Sequence, residues 1–202
     1  MTIDTSYTPV RVLLLPGWQN SGPDHWQSRW ERLYGYQRVE QHDWMRPLRG
    51  DWIARLEDVL LSLDFERDGP AVLVAHSLGC IHVAAWAAHS QNTHRVQGAL
   101  LVAPPDVERE DLRNMLPGWS PVPLNKLPFK TLVLASSDDP FCSQARAQTL
   151  AKSWGAEFVA VGPGGHLNAE SGLGDWPAGF FQLQSLLGMD GFSAGSAVGA
   201  LA

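Results

Sequence analysis

The sequence predicts an α/β fold of one domain, a mostly parallel sheet with helices on both faces. Three observations carry this. Short continuous apolar runs such as Val10 to Leu15 and Pro70 to Ala75 stop at turn residues, as strands buried on both faces do. Stretches with apolar residues three and four apart lie between them. The chain has 202 residues, which suits one domain with a sizeable core.

Each element follows in chain order. Val10 to Leu15 is a strand closed by Pro16-Gly17. Asp24 to Tyr34 is a helix, with Pro23 and Asp24 suited to its first turn and Trp26, Trp30 and Leu33 on one face. Val39 to His42 reads as a short strand. Asp51 to Leu63 is a helix with Trp52, Leu56, Val59, Leu60 and Leu63 on one side. Pro70 to Ala75 is a buried strand, and Ile81 to Ser90 an Ala-rich helix. Val96 to Ala103 and a run within Leu127 to Ser136 are further strands. Ala145 to Trp154 is a helix, Glu157 to Val161 the last strand, and Pro177 to Leu187 the closing helix. The expected domain spans residues 10–188. Residues 1–9 form an N-terminal extension, and residues 189–202, rich in Gly, Ala and Ser, a flexible tail.

Composition narrows the classes of function. Fifteen basic and twenty-one acidic residues give a net charge of −6, which argues against nucleic acid or an anionic membrane as a partner. The first residues lack the basic start and apolar stretch of a signal peptide, and no apolar run is long enough to span a membrane. Cys80 and Cys142 form no C-x-x-C pair and read as reduced packing residues. A cytoplasmic location is the expectation. Nine tryptophans are many for this length, and most are expected in the core.

In parallel sheets, ligands bind beyond the carboxyl ends of the strands, so the residues just after each strand matter most. After the Pro70–Ala75 strand comes Ala75-His76-Ser77-Leu78-Gly79, followed by a helix. A serine held on a sharp strand-to-helix turn needs small neighbours two places away on either side, and Ala75 and Gly79 supply them. Ser77 is therefore the expected nucleophile. A hydroxyl needs a base to activate it. The strand containing Thr131 to Ala135 runs into Ser136-Ser137-Asp138-Asp139-Pro140, and the next runs into Gly162-Pro163-Gly164-Gly165-His166. An acid and a histidine thus follow successive strands, in the order Ser, acid, His that a strand-turn-helix serine on such a parallel sheet is paired with. His166 is the expected base and one of the two aspartates the acid that orients it; Asp139-Pro140-Phe141 resembles the Asp-Pro-apolar ending common after this strand in hydrolases, which favours Asp139, with Asp138 in reserve. The backbone N–H of Leu78 and that of Trp18, in the loop after the first strand, are the expected oxyanion donors, with Gln19 in reserve. His76 should point into the protein as a satisfied buried histidine. The remaining histidines show no ligand spacing, so neither a catalytic metal nor a cofactor is expected.

The stretches Leu13-Leu14-Leu15-Pro16-Gly17-Trp18, Ala75 to Gly79, Ser137 to Phe141 and Gly165-His166, with the helix carrying Trp26 and Trp30, resemble the small serine hydrolases related to retinoblastoma-binding protein nine. The resemblance covers about residues 10–188. It implies a single-domain α/β-hydrolase fold, the triad Ser77, Asp139 and His166, and cofactor-free hydrolysis of esters or related acyl compounds. Ala75 and Ala135 stand where many hydrolases carry Gly, both small departures.

The segment Pro104 to Lys130 is too short for a large cap domain. A lightly covered pocket lined by Gln19, Met115 and Trp119 is expected, taking a small acyl substrate. Two other readings share the sequence: a thioesterase or amidase using the same residues, and a non-catalytic interaction module on the same fold.

Overall fold

The computed structural model describes residues 10–188. Its six strands are β1 (Val12–Leu15), β2 (Gln37–Arg38), β3 (Ala71–His76), β4 (Val96–Val102), β5 (Lys130–Ala135) and β6 (Glu157–Ala160). They form one all-parallel sheet in the order β2-β1-β3-β4-β5-β6. The helices are α1 (Trp26–Tyr34), α2 (Arg49–Ser62), α3 (Phe65–Asp68), α4 (Leu78–Ala87), α5 (Glu110–Met115), α6 (Gln144–Trp154) and α7 (Pro177–Leu186). The N-terminal extension and the tail expected from sequence lie outside the described residues.

The apolar strand runs make two cores because alternate side chains leave opposite faces of a sheet. Leu13, Leu15, Leu73, Ala75, Leu101 and Val133 face a core closed by α2, α4 and α6. Val12, Leu14, Val72, Val74, Leu100 and Leu134 face a second core closed by α1 and α7. Six of the nine tryptophans are fully buried: Trp26, Trp30, Trp52, Trp86, Trp119 and Trp154. Each donates its indole N–H, as burial demands. Five of them reach loop carbonyls: Trp26 to Leu167 O at 2.8 Å, Trp30 to Asp175 O at 2.7 Å, Trp52 to Asp43 O at 3.4 Å, Trp119 to Pro47 O at 2.8 Å and Trp154 to Pro123 O at 2.8 Å. The tryptophans thereby tie connecting loops to the core.

Three details differ from the sequence reading. The edge strand is Gln37–Arg38 rather than Val39 to His42, because Val39 turns inward as a buried residue and spends its N–H on Leu14 O at 2.9 Å. Helix α4 begins at Leu78, directly after Ser77, three residues before its Ala-rich run. Helix α3, unforeseen, is a single turn capped by the Asp64 side chain accepting from Arg67 N. The link between β4 and β5, as short as the sequence indicated, holds one helix, α5, which begins at Glu110. Among the described residues no helix is long and apolar enough to cross a membrane.

Candidate active site

The carboxyl ends of β3, β5 and β6 deliver three side chains to one place. Ser77 sits between β3 and α4 with φ 53° and ψ −125°. A non-glycine residue there stores on the order of 1–3 kcal/mol of strain, which the surroundings must hold. The Ser77 N–H donates to Val102 O at 2.9 Å and its carbonyl accepts from Cys80 N at 2.8 Å. Two glycines make room for the turn. A Cβ on Gly79 would run into the Leu15 carbonyl oxygen, and one on Gly17 would lie 2.7 Å from the Ser77 Cβ. The turn therefore packs directly on the end of β1.

His166 lies on the loop after β6. Its Nε2 is 2.8 Å from Ser77 Oγ, and its Nδ1 is 2.9 Å and 3.0 Å from the two carboxylate oxygens of Asp139. A carboxylate only accepts, so Nδ1 carries the proton and Nε2 is free to accept from the serine hydroxyl. The Asp139 side chain is buried, and its Oδ1 also accepts from Phe141 N at 2.9 Å. The Phe141 ring packs edge-on against His166, with centroids 4.6 Å apart. The three residues expected from sequence therefore meet in the expected order. Asp138 does not touch the ring. Its Oδ1 accepts from Gly164 N at 2.8 Å and Gly165 N at 2.9 Å, and these bonds hold its carboxyl below the usual carboxylate range.

His76 lies behind the site, as its sequence position suggested. Its Nε2 donates to His166 O at 2.9 Å, and burial keeps it neutral, far below its ordinary pKa. His25, given no role from sequence, caps α1, with Nδ1 accepting from Gln27 N at 3.1 Å. Burial first, then the nearby charges of Arg38 and His166, pull its pKa down to about 3. Cys80 and Cys142 are both free and buried. Burial raises the Cys80 thiol well above its ordinary value and pushes Cys142 up to about 12, so neither is a ready thiolate.

The loop after β1 closes the other side. The position of a Cβ on Gly17 would be 3.1 Å from Leu78 N, so this loop and the start of α4 lie side by side. The Gln19 N–H is already committed to Trp44 O at 3.0 Å, which leaves Trp18 rather than Gln19 as the candidate donor there. Gln19 and Asn20 both have left-handed φ, 68° and 65°. Arg38, which sequence reasoning passed over, secures them. Its guanidinium, buried among polar groups, donates to Asn20 Oδ1 at 2.6 Å, Ser21 O at 3.0 Å and Ser28 Oγ at 2.6 Å, and pairs with Glu31 at 2.7 Å. Those partners lie 7 to 18 residues before it, in the loop after β1 and in α1, at no spacing that forms a motif, so no sequence signal marked the residue.

A cavity of about 470 Å³ opens over Ser77 and His166. Trp18, Leu78, Leu112, Met115, Leu116 and Phe141 supply apolar wall, and Asn20, His25, Asn168 and Glu170 a polar side. Gln19 and Met115 line it as expected. Trp119 does not. It is fully buried, with its ring edge-on to Trp52 at 5.3 Å and its N–H on Pro47 O. An indole with an acceptor in the core has no reason to turn outward, and Leu112 and Leu116 from the α5 segment take its expected place.

A parallel sheet with this strand-turn-helix serine, followed by an acid and a histidine on later strand ends, defines an α/β hydrolase. The family model described as serine hydrolase matches residues 12–185, and the chain belongs to that family. Among solved structures, a YdeN-like hydrolase from Pectobacterium atrosepticum is 31% identical, with a TM-score of 0.75, over 88% of this chain and 90% of that one. The ydeN product of B. subtilis shares the fold at 23% identity and TM-score 0.69, over 89% of this chain and 99% of its own. An α/β-superfamily hydrolase from Xanthomonas campestris does so at 22% and 0.56, over 87% and 98%. No curated protein matches the chain.

Proposed function

We propose that the protein hydrolyses small acyl esters through an acyl-enzyme on Ser77. The observation that carries this reading is the unbroken chain Ser77 Oγ, His166 Nε2, His166 Nδ1 and Asp139 carboxylate, with contacts of 2.8 and 2.9 Å, on the floor of a cavity. His166 takes the hydroxyl proton as Ser77 attacks the acyl carbon. The Leu78 and Trp18 amides receive the oxyanion. His166 then protonates the leaving alcohol, and a water attacks the acyl-enzyme by the reverse route, freeing the acid and Ser77. Asp139 holds the histidine tautomer and stabilises the imidazolium. No step calls for a cofactor or metal. A cavity of this size and its largely apolar wall favour short to medium acyl groups. Two unpaired cysteines accord with a cytoplasmic location.

The test is turnover of matched esters, thioesters and anilides over acyl lengths from acetyl to octanoyl. Wild type is expected to prefer esters of the shorter acids, and Ser77→Ala to lose about a millionfold in kcat if the three residues act as one unit. Preference for the thioester or anilide would move the substrate class while keeping the serine chemistry. Activity surviving in Ser77→Ala would overturn the proposal.

A further inference from the structure

His166 reaches Ser77 from a loop with little regular structure. Gly165 and Leu167, on either side of it, have left-handed φ of 56° and 49°. The loop's carbonyls are all held: Gly164 O by Ser171 Oγ of the following turn at 2.6 Å, and, from the core, Gly165 O by Ser136 Oγ, His166 O by His76 Nε2 at 2.9 Å and Leu167 O by Trp26 Nε1 at 2.8 Å. Its N–H groups just before the histidine go elsewhere. A single oxygen, Oδ1 of Asp138, takes both Gly164 N at 2.8 Å and Gly165 N at 2.9 Å. Two glycines are the chain's most permissive hinge, so what fixes their peptide planes also fixes the residue they carry.

Building on the Ser77 chemistry proposed above, we infer that Asp138 is a positioning residue that sets the place of His166 over Ser77 by gripping the two glycine amides before it. Adjacent aspartates at the end of β5 thus divide one task. Asp139 orients the ring, and Asp138 orients the backbone that bears the ring. Three of the carbonyl anchors, Ser136, His76 and Trp26, belong to the packed interior and serve the fold as well. Asp138 is exposed, so removing its carboxylate leaves the core intact. A misplacement of about 1 Å at the histidine is enough to cost on the order of 100-fold in rate.

The experiment compares kcat and KM for wild type, Asp138→Ala, Asp138→Asn and Asp138→Glu on the best ester, with circular dichroism to confirm folding. Asp138→Ala should lose about 100-fold in kcat with KM little changed. Asp138→Asn keeps an oxygen at the same reach and should recover most of that loss. Asp138→Glu keeps the charge but sets the oxygen one methylene too far, and should stay well below Asn. Full kcat in Asp138→Ala overturns the inference. Glu above Asn also overturns it, because charge rather than grip would then be what counts, and this pair decides even if the alanine variant does not fold. Wild type that turns over none of the esters overturns the reading beneath it, and this inference with it.

Discussion

Gly79 takes part in no chemistry, but a methyl group on it would strike the Leu15 carbonyl, and that collision is with backbone that cannot swing away. Gly79→Ala must therefore push the Ser77 turn off β1. Overpacking of this kind costs about 1–3 kcal/mol or more, which for a chain this long lowers Tm by several degrees at about 2–4 °C per kcal/mol. A thermal melt that leaves Gly79→Ala at the wild-type Tm would contradict the packing described here. Met115 and Trp119 separate just as sharply. Met115 is half exposed on the cavity wall and Trp119 is fully buried. Met115→Ala should raise KM for longer acyl groups with little change in Tm. Trp119→Phe should leave KM alone and lower Tm, since it strands Pro47 O and opens a gap; losses of buried groups of this size run to about 1–3 kcal/mol. Steady-state kinetics beside a melt on each variant would show the opposite pattern if Trp119 faced substrate.

At the level of elements, legibility followed environment. β1, β3, β4 and β5 were readable because strands buried on both faces are nearly continuously apolar and stop at turn residues. β2 was not, because its two residues, Gln37 and Arg38, are polar and form the edge of the sheet. The start of α4 was misplaced because Ser77 can precede a helix directly only where Gly79 lets the turn sit on β1, a contact between distant segments. Ser77, Asp139 and His166 were readable for a related reason. Their identities and their places after successive strands are local facts, and the sheet brings strand ends together. Asp138 and Asp139 could be ranked by sequence only through resemblance, since which one turns to the ring and which to the backbone is a matter of side-chain direction. Arg38 and the inward turn of Trp119 depend on partners from several segments, which the linear pattern does not contain.

The molecule as a whole carries a pH limit. His25, His76 and His82 are all buried and neutral. Burial sets His25 to about 3 and His82 to about 4, and drives His76 down as well. Each has its ordinary value of 6.5 when the chain unfolds. The folded pKa is depressed, so the stability these neutral rings allow is complete about one unit above pH 6.5 and is lost as the pH falls through 6.5 toward 4. In that window the unfolded chain binds more protons than the folded one. The slope is about 1.4 kcal/mol per pH unit for each histidine fully charged in the unfolded state only. Urea unfolding at pH 7.5, 6.5, 5.5 and 4.5 should show a drop of about 1 kcal/mol between the first two, where the three rings become half charged in the unfolded chain, then a steeper fall. His82→Gln, which removes one such ring outside the cavity lining, should make that fall shallower. Equal slopes in the two proteins would mean that His82 is charged in the fold.

The central claim is that Ser77 is an activated nucleophile, and covalent labelling by a fluorophosphonate probe tests it most directly. Such a probe reacts with a serine whose hydroxyl is deprotonated by a positioned base. The expected result is one adduct on wild type, located by peptide mass spectrometry at Ser77, absent in Ser77→Ala and strongly slowed in His166→Ala. Folded wild type that takes no label, or takes it equally in Ser77→Ala, would contradict the account.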